Sequence, residues 1–344
     1  MKILHTSDLH IGHSVFGVER EDEFRKLFEW FGDVVKKEGV DIFLVSGDVF
    51  DVYFPSALAV ELYYDFLLSL NTKIIITGGN HDSPRHLKAS KEILRRVGVE
   101  VVSGSEDDFF SVLEFDDFEI VCVSYLREGI LRKYDNDLIE AIRKVYKRDS
   151  KKKKIATGHL SVYGSSVSGS ERDIYIGKIE AVPSFVFDGY DYVALGHIHK
   201  PQEVKRGIVY SGSPLQLGFK ENYQKKVVLL DTESMGYKFI DVPKFREFVS
   251  LKGSFEEIRE RIKEIKSWSF VEIELDEVVS SLSLDELRRD DLFITKINMP
   301  FDKKERVKLK EVSPVEFIKE LFRDDEDLDE ILKVVKRLGV EDED

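Results

Sequence analysis

The sequence contains very little of what a secreted or membrane-bound protein needs. Its 344 residues include one cysteine, Cys122, which excludes an internal disulfide; this thiol lies in an apolar run that predicts burial in a reducing compartment. No apolar run approaches the length of a membrane span, and residues 1–8 lack the apolar core of a signal peptide. We therefore expect a cytoplasmic protein that does not enter a membrane.

Basic residues are also in deficit. The chain has 52 Lys and Arg against 66 Asp and Glu, a net charge of −14, which argues against nucleic-acid binding over the whole surface. A local basic or metal-lined groove is compatible with this charge, because bound cations offset the carboxylates at their own site. The chain has no Gly-x-x-x-x-Gly-Lys-Ser/Thr loop, so we do not expect it to bind ATP.

What the sequence does contain is a series of short apolar runs that predict buried strands. They cover residues 2–6, 41–46, 73–77, 119–124, 155–157, 192–195, 207–211, 226–231 and 237–242. Helical patterns at 21–38, 56–70 and 84–97 alternate with the first of these runs, which is typical of an α/β layered domain. We expect this domain to occupy residues 1–243.

A boundary is predicted near Pro243, and residues 244–300 are predicted to form a small α/β unit. Ser254 and Glu257 have the spacing of a capping box at the start of a helix. The strands predicted to follow are 270–275 and 292–298.

Residues 301–344 are predicted to form a linker and a helical hairpin. The first helix begins at Ser313-Pro314, and the second ends at Gly339. The hairpin either packs on its own chain or binds in the groove of a partner protein.

Five short motifs place metal-binding side chains directly after predicted strands. They are Asp8-Leu9-His10, Gly47-Asp48, Gly79-Asn80-His81-Asp82, Gly158-His159 and Gly196-His197-Ile198-His199. The carboxyl ends of the strands in an open α/β sheet share one edge, which is where ligands bind. A single histidine is more often a structural residue than a ligand, but packing alone does not explain five such motifs on one edge.

The side chains in these motifs indicate a class of metal. Two carboxylates, one amide oxygen and four imidazoles suit Mn²⁺, Fe²⁺ or Zn²⁺ better than Mg²⁺ or a metal bound by thiolates. Two such ions, about 3.5–4 Å apart, can activate a water molecule and stabilise the leaving oxygen of a phosphate ester. The motifs therefore predict a two-metal site that hydrolyses phosphoesters.

With these motifs the chain resembles the calcineurin-like metallophosphoesterases and, more narrowly, the SbcD-type nuclease subunits of DNA double-strand-break repair. The narrower resemblance rests on the stretches 46–51, 157–160, 172–177, 194–202 and 210–214. These stretches lie within residues 1–243 and are specific in combination. Beyond residue 245 the resemblance is one of layout only.

The resemblance implies the role of each motif residue. It implies two Mn²⁺ ions, with Fe²⁺, Zn²⁺ or Mg²⁺ as alternatives. The first ion would be held by Asp8, His10, Asp48 and His199. The second would be held by Asp48, Asn80, His159 and His197, so that Asp48 bridges the two. His81 would be a catalytic residue that binds no metal and protonates or steadies the leaving 3′ oxygen.

Other polar residues near the motifs are expected to have structural roles. Some relatives carry a second catalytic histidine three residues after the bridging aspartate; this chain has Asp51 there, which we interpret as a loop carboxylate or helix cap. His5 is expected in the core or at its rim, His86 in the first turn of a helix, and His13 in a surface loop. The Gly- and Ser-rich segment 161–170 is either a surface loop or a mobile rim that DNA passes.

The resemblance also implies a fold, an activity and partners. The fold is a β-sandwich flanked by helices, with a DNA-capping domain at 244–300. The activity is 3′→5′ exonuclease action on duplex ends and endonuclease action on single strands and hairpins. The C-terminal hairpin would bind an SbcC-type ABC ATPase, and the chain would form a homodimer through helices 57–70 and 84–97. Helix 57–70 has almost no polar face, although a surface helix should show one. The simple alternative to a dimer contact is that this helix is buried between layers.

Two other functions are compatible with the motifs. A phosphatase or phosphodiesterase acting on small molecules would use the same metals, although such compact enzymes rarely need residues 245–344. A metal-stabilised binding scaffold without catalysis is a second alternative, but it has no use for an unliganded histidine such as His81.

Overall fold

The computed structural model describes residues 1–167 and 181–300. The strands are β1 (Lys2–Thr6), β2 (Ile42–Ser46), β3 (Lys73–Thr77), β4 (Val99–Val102), β5 (Phe110–Glu114), β6 (Phe118–Val123), β7 (Lys153–His159), β8 (Tyr192–Gly196), β9 (Gln202–Lys205), β10 (Ile208–Tyr210), β11 (Lys226–Asp231), β12 (Tyr237–Asp241), β13 (Phe248–Gly253), β14 (Phe270–Leu275) and β15 (Phe293–Asn298). The helices are α1 (Glu21–Glu38), α2 (Ala57–Ser69), α3 (Pro84–Ala89), α4 (Lys91–Arg95), α5 (Glu128–Leu131), α6 (Leu138–Val145), α7 (Phe255–Lys263) and α8 (Ser281–Asp285).

The first sheet has six strands in the order β12-β11-β1-β2-β3-β4. β1 to β4 run parallel, and β11 returns antiparallel to β1, with Leu229 opposite Leu4. All five residues of β2 are buried. Both faces of this strand are covered, which explains why its sequence is a continuous apolar run without alternation.

The second sheet repeats this arrangement in the order β5-β6-β7-β8-β10-β9. Its four central strands are parallel, and β5 and β9 are antiparallel strands at its two edges. The carboxyl ends of β7 and β8 therefore lie side by side, as those of β1, β2 and β3 do in the first sheet.

The two sheets face each other across an apolar core. Ile42 and Leu44 of β2 share one cluster with Ile120 of β6. Phe43 points the other way and joins the cluster formed with α1 and α2, while Ile142 of α6 packs on the outer face of the second sheet. The predicted α/β fold, a β-sandwich flanked by helices, is confirmed.

The helix ends follow the local sequence, with one departure from prediction. Ser56 caps α2 by accepting a hydrogen bond from the Ala59 N–H, and α1 ends at Gly39 in the left-handed conformation. The single helix predicted at 84–97 is wrong, because two short helices, α3 and α4, take its place. The break falls at Ser90, which ends α3 and whose carbonyl accepts the first hydrogen bonds of α4.

The chain divides into two compact units, each built from segments that are separate in the sequence. Among the described residues, the first consists of those within Met1–Leu251, Glu264–Glu272 and Arg289–Lys296, and the second of Lys252–Lys263, Ile273–Arg288 and 297–300. The predicted capping box at the start of α7 is present, because the Ser254 N–H donates to Glu257 and the Glu257 N–H donates to the Ser254 hydroxyl. The domain boundaries at 243 and 300 stay predictions.

Two predicted segments fall outside the described residues. The helical hairpin begins at Ser313 and lies wholly beyond them, and segment 161–170 is described only as far as residue 167. Among the helices that are described, none is both long and apolar enough to cross a membrane.

Candidate metal centre

The five motifs converge at one end of the sandwich. Asp8, Asp48 and Asn80 follow β1, β2 and β3 of the first sheet, His159 is the last residue of β7, and His197 follows β8. Because these parallel strands end at a common edge, loops from both sheets contribute to the same site.

The backbone of these loops is held in unusual conformations. Asp8, His10, Asp48 and His197 have positive φ angles of 51°, 47°, 50° and 93°. Residues with a side chain rarely adopt such angles, which cost about 1–3 kcal/mol each and cluster at functional sites. Hydrogen bonds between the loops maintain them: the Asp8 N–H donates to the Gly47 carbonyl, and the His10 N–H to the Asp48 carbonyl.

Glycines allow the loops to approach one another closely. A Cβ atom added to Gly47 would lie 2.1 Å from Nδ1 of His159, and one added to Gly79 would lie 2.1 Å from Oδ1 of Asp48. At Gly196 the added atom would lie 1.9 Å from a backbone oxygen. The glycines that precede the ligand residues are therefore required for the site to close.

All seven predicted ligands lie together. Donor atoms of Asp8, His10 and His199 lie within 4.8 Å of one another, as do those of Asp8, Asp48 and His159. The remaining two are Asn80, whose Oδ1 lies 2.9 Å from Nε2 of His159, and His197, whose Nδ1 lies 3.1 Å from the same oxygen.

The residues fit a pair of divalent cations. Nε2 of His10 is buried without a hydrogen-bond partner, 3.8 Å from Oδ2 of Asp48. An unpaired buried nitrogen is costly unless a ligand satisfies it. Together with the carboxylate and amide oxygens beside it, this nitrogen has the chemistry of a site for a metal such as Mn²⁺ or Zn²⁺.

Close packing of charges shifts the pKa values of the site. Burial raises the pKa of Asp48, but the His159 imidazole outweighs this effect and holds it well below its usual range. In return, Asp48 overcomes the desolvation of His159 and raises the pKa of that imidazole. Burial and the neighbouring His159 lower the pKa of His197 to about 4. Asp48 thus favours positive charge beside His159, whereas burial disfavours it on His197.

His81 lies beside the ligands, and only one of its two ring nitrogens, Nδ1, bonds to the backbone. Its backbone N–H donates to Oδ1 of Asp48 (2.8 Å), and the ring nitrogen Nδ1 donates to the Asp51 carbonyl (2.6 Å). The ring meets that of His10 edge-on, with 4.8 Å between centroids. Since Nδ1 carries the proton of this hydrogen bond, Nε2 is the nitrogen available to a substrate.

Two charged residues hold the Asn80–His81 loop in place. The buried carboxylate of Asp82 accepts hydrogen bonds from the N–H groups of Gly79, Val49 and Phe50, tying this loop to that of Asp48. Burial and the charge of Asp48 raise the pKa of Asp82 to about 6. Arg127 donates to the carbonyls of Gly79, Asn80 and Asp82. Sequence reasoning assigned no role to Arg127, because nothing near it in the chain indicates this contact.

Carboxylates also lie behind two of the predicted ligands. Asp51 is a loop residue, as expected, but its Oδ1 accepts hydrogen bonds from Nδ1 of both His10 (3.1 Å) and His13 (3.0 Å). Glu221, which the sequence did not single out, contacts Nδ1 of His199 at 2.8 Å.

Three histidines remain outside the predicted ligand set, and of these His13 adjoins the ligand His10 through Asp51. His13 also contacts the Leu217 carbonyl, which gives it a structural role in its loop. His5 is buried on β1 against the Tyr192 hydroxyl, and His86 lies in α3 as predicted.

The sequence matches a known family and several curated proteins. Residues 1–201 match the family model described as calcineurin-like phosphoesterase. The chain is 31% identical to the SbcD subunit of the nuclease SbcCD of Escherichia coli (strain K12), covering 82% of this chain and 80% of that protein. It is 29% identical to the SbcD subunit of the same nuclease of Bacillus subtilis (strain 168), covering 84% and 82%.

Proposed function

We propose a function from the premise that this chain belongs to the calcineurin-like phosphoesterase family and, within it, to the family of the SbcD subunits of SbcCD nucleases. The chain is a nuclease subunit that hydrolyses DNA phosphodiesters with the help of bound metal. The observation that carries the proposal is the meeting of seven buried or half-buried ligand side chains beside His81, whose imidazole binds no predicted metal.

The metal-binding roles follow from the donor atoms. Asp8, His10, Asp48 and His199 would hold one cation. Asp48, Asn80, His159 and His197 would hold the other. When bound, such cations supply a polarised phosphate and an activated water molecule. We propose Mn²⁺ as the metal, because the donor set mixes oxygen with nitrogen and contains no thiolate.

His81 is proposed to hold a proton at Nε2 for the leaving 3′ oxygen. The Asp51 carbonyl fixes the ring by accepting from Nδ1, so that Nε2 can carry the transferable proton. The backbone N–H of His81 donates to Asp48, and this hydrogen bond keeps the His81 imidazole at a constant position relative to the metal ligands. A general acid of this kind contributes typically about 10²–10⁴-fold to the rate.

The proposed substrates are duplex ends, attacked 3′→5′, and single strands or hairpins, cut internally. The test is digestion of labelled duplex and hairpin DNA by the full chain in Mn²⁺, with a p-nitrophenyl phosphodiester as a second substrate. We expect His81→Ala to lower DNA cleavage about 10²-fold or more, and Asp48→Asn to abolish it. His86→Ala is the matched control, because this histidine lies in α3 and belongs to neither proposed ligand set, and it should cleave at the wild-type rate.

Two outcomes would change the assignment. Cleavage retained in both His81→Ala and Asp48→Asn would refute the proposed site. Turnover of the small diester with no cleavage of DNA would favour a phosphodiesterase that acts on small molecules.

We also propose that the chain works with an SbcC-type ABC ATPase through residues 313–338. The names of the relatives describe one subunit of a complex, and residues 313–338 have the sequence pattern of two amphipathic helices, which can bind in a groove. Deletion of residues 313–344 should leave metal-dependent nuclease activity within about threefold of wild type and abolish co-purification with the ATPase. Undiminished complex formation by the deletion variant would contradict this assignment and favour a hairpin that packs on its own chain.

A homodimer through α2 and the α3–α4 region is the last part of the proposal. Leu68 on α2 is 70% exposed and Ile93 on α4 is 72% exposed. These exposed apolar side chains, one on each predicted dimer segment, support a contact with a second copy of the chain, because exposed apolar patches mark interaction sites.

A further inference from the structure

Glu221 is a buried carboxylate behind the metal centre that no motif of the sequence includes. We propose that Glu221 is a positioning residue, which orients His199 toward the cation held by Asp8, His10, Asp48 and His199. We call the site of that cation the first position, and the site formed by Asp48, Asn80, His159 and His197 the second position. Together with Asp51, which contacts His10, Glu221 makes the first position bind its cation more tightly than the second. This inference rests on the proposed function, since it concerns the same two cations.

The surroundings of Glu221 keep its carboxylate charged and fixed. It is fully buried, and it accepts hydrogen bonds from Nδ1 of His199 (2.8 Å), from the Leu217 N–H (2.9 Å) and from the Lys225 ammonium (2.5 Å). Lys225 also donates to the hydroxyl of Ser213 (2.9 Å). A buried carboxylate with three donors has no freedom to turn away from His199.

The contact decides which nitrogen of His199 can bind a metal. Because Glu221 accepts at Nδ1, that nitrogen carries the proton, and Nε2 is the nitrogen whose lone pair can bind a metal. The His199 ring lies 5.1 Å from that of His10, with which it shares the first group of donor atoms. A carboxylate behind a ligand imidazole also makes the imidazole a stronger donor.

The two metal positions differ in this support. His10 and His199 of the first position are each backed by a carboxylate, from Asp51 and Glu221. In the second position, Nδ1 of His159 donates to the neutral backbone carbonyl of Ser46 (2.9 Å).

The oxygen ligands also favour tighter cation binding at the first position. The first position has the carboxylate of Asp8 where the second has the amide of Asn80, and both share Asp48. The first position therefore carries more negative charge and better oriented imidazoles, so it should fill first.

The experiment is a Mn²⁺ titration of the chelator-stripped full chain, followed by calorimetry and by the electron paramagnetic resonance signal of free Mn²⁺. We expect two steps of unequal affinity in the wild type. Glu221→Gln keeps the shape and an acceptor but removes the charge, and it should weaken the tighter step about 10–100-fold while leaving the other within threefold. Glu203→Gln, which changes a carboxylate on β9 that contacts Tyr237, is the control and should leave both steps unchanged.

The outcomes separate this inference from the proposed function. Wild-type protein that binds no Mn²⁺ would remove the basis of both. Two wild-type steps that Glu221→Gln leaves unchanged, or weakens equally, would overturn the role of Glu221 alone, because an equal loss means that the residue only holds its loop together. If Glu221→Gln does not fold, Asp51→Asn decides: it must weaken the tighter step selectively, and an effect on neither step or on both would overturn the inference.

Discussion

The environment of each imidazole decides its chemistry in this chain. Four histidines face the carboxylates of the metal centre, where a cation can take the place of a proton. His5, although it lies on the same strand that leads to Asp8, is fully buried in the sandwich, and its Nδ1 lies 3.0 Å from the Tyr192 hydroxyl. His5 therefore acts on stability and pH dependence, with no part in metal binding.

We expect His5 to make the protein less stable as the pH falls. Burial lowers the pKa of His5 to about 3, against 6.5 in the unfolded chain. Between these values the unfolded state binds more protons, so the stability that the neutral imidazole provides above pH 6.5 is lost at about 1.4 kcal/mol per pH unit below it. Urea unfolding of wild type and His5→Gln at pH 7, 6 and 5 should show a shallower slope in the variant. Equal slopes for His5→Gln and wild type would show that His5 does not contribute.

Sequence motifs reveal the ligands of the site but not their supports. Asp8, His10 and Asp48 are recognisable because each belongs to a short pattern at the end of an apolar run. Glu221 and Arg127 have no such pattern, since their partners lie 22 and about 47 residues away. A glutamate or arginine in a loop is ordinarily a surface residue, and only the folded chain shows that these two contact the metal-site loops.

Among the secondary-structure elements, strands with both faces buried were predictable, and so were the edge strands β12 and β15, but the edge strands β4, β5 and β9 were not. The apolar runs that become β1, β2 and β3 are visible because helices cover one face and the second sheet covers the other. β5 and β9 lie at sheet edges, are partly exposed and contain polar residues, so they give no apolar run. The pairing of β11 with β1 could not be predicted either, because it depends on contacts between opposite ends of the domain.

Helix α2 has two apolar faces, of which one is covered. Leu62, Phe66 and Leu67 are buried against the first sheet and α1. Val60, Tyr64 and Leu68 follow one another at intervals of four residues beside this face; Tyr64 packs partly on the same core cluster, Val60 is half-buried, and Leu68 is exposed. The exposure of Leu68 contradicts the alternative that this helix is buried between layers, and an exposed apolar stripe on a surface helix favours an interface.

We expect the chain to be a homodimer that charges on this stripe would dissociate. Burying each of these side chains contributes about 1.5–3 kcal/mol, and a glutamate in the interface would replace that gain with a desolvation cost. Light scattering at micromolar concentration should give twice the mass of one chain for wild type and the mass of one chain for a Leu68→Glu/Ile93→Glu double variant. Val278→Glu, at a position that is 56% exposed outside these helices, is the matched control. A wild-type protein that is strictly monomeric at these concentrations would exclude the dimer.

On the scale of the whole molecule, negative charge and the proposed substrate oppose each other. A chain with a net charge of −14 repels DNA at long range, yet the site gathers the buried carboxylates Asp8 and Asp48 where the phosphate must come. The two divalent cations proposed above would add four positive charges at that end of the sandwich. They would reverse the local field, so that bound metal would serve both attraction of the phosphate and stability of the folded chain.

We therefore expect metal to stabilise the folded protein measurably. Cations that bind the folded chain and not the unfolded one add about 2.7 kcal/mol at a concentration one hundred times the dissociation constant, which raises the melting temperature by roughly 5 °C or more in a protein of this size. Differential scanning fluorimetry of chelator-treated protein should show this rise with Mn²⁺. Asp48→Asn should lose most of it, because both cations share this carboxylate, while His81→Ala should keep it, because His81 is proposed to bind neither. Loss of the rise in His81→Ala, with retention in Asp48→Asn, would mean that the ligand set is assigned to the wrong residues.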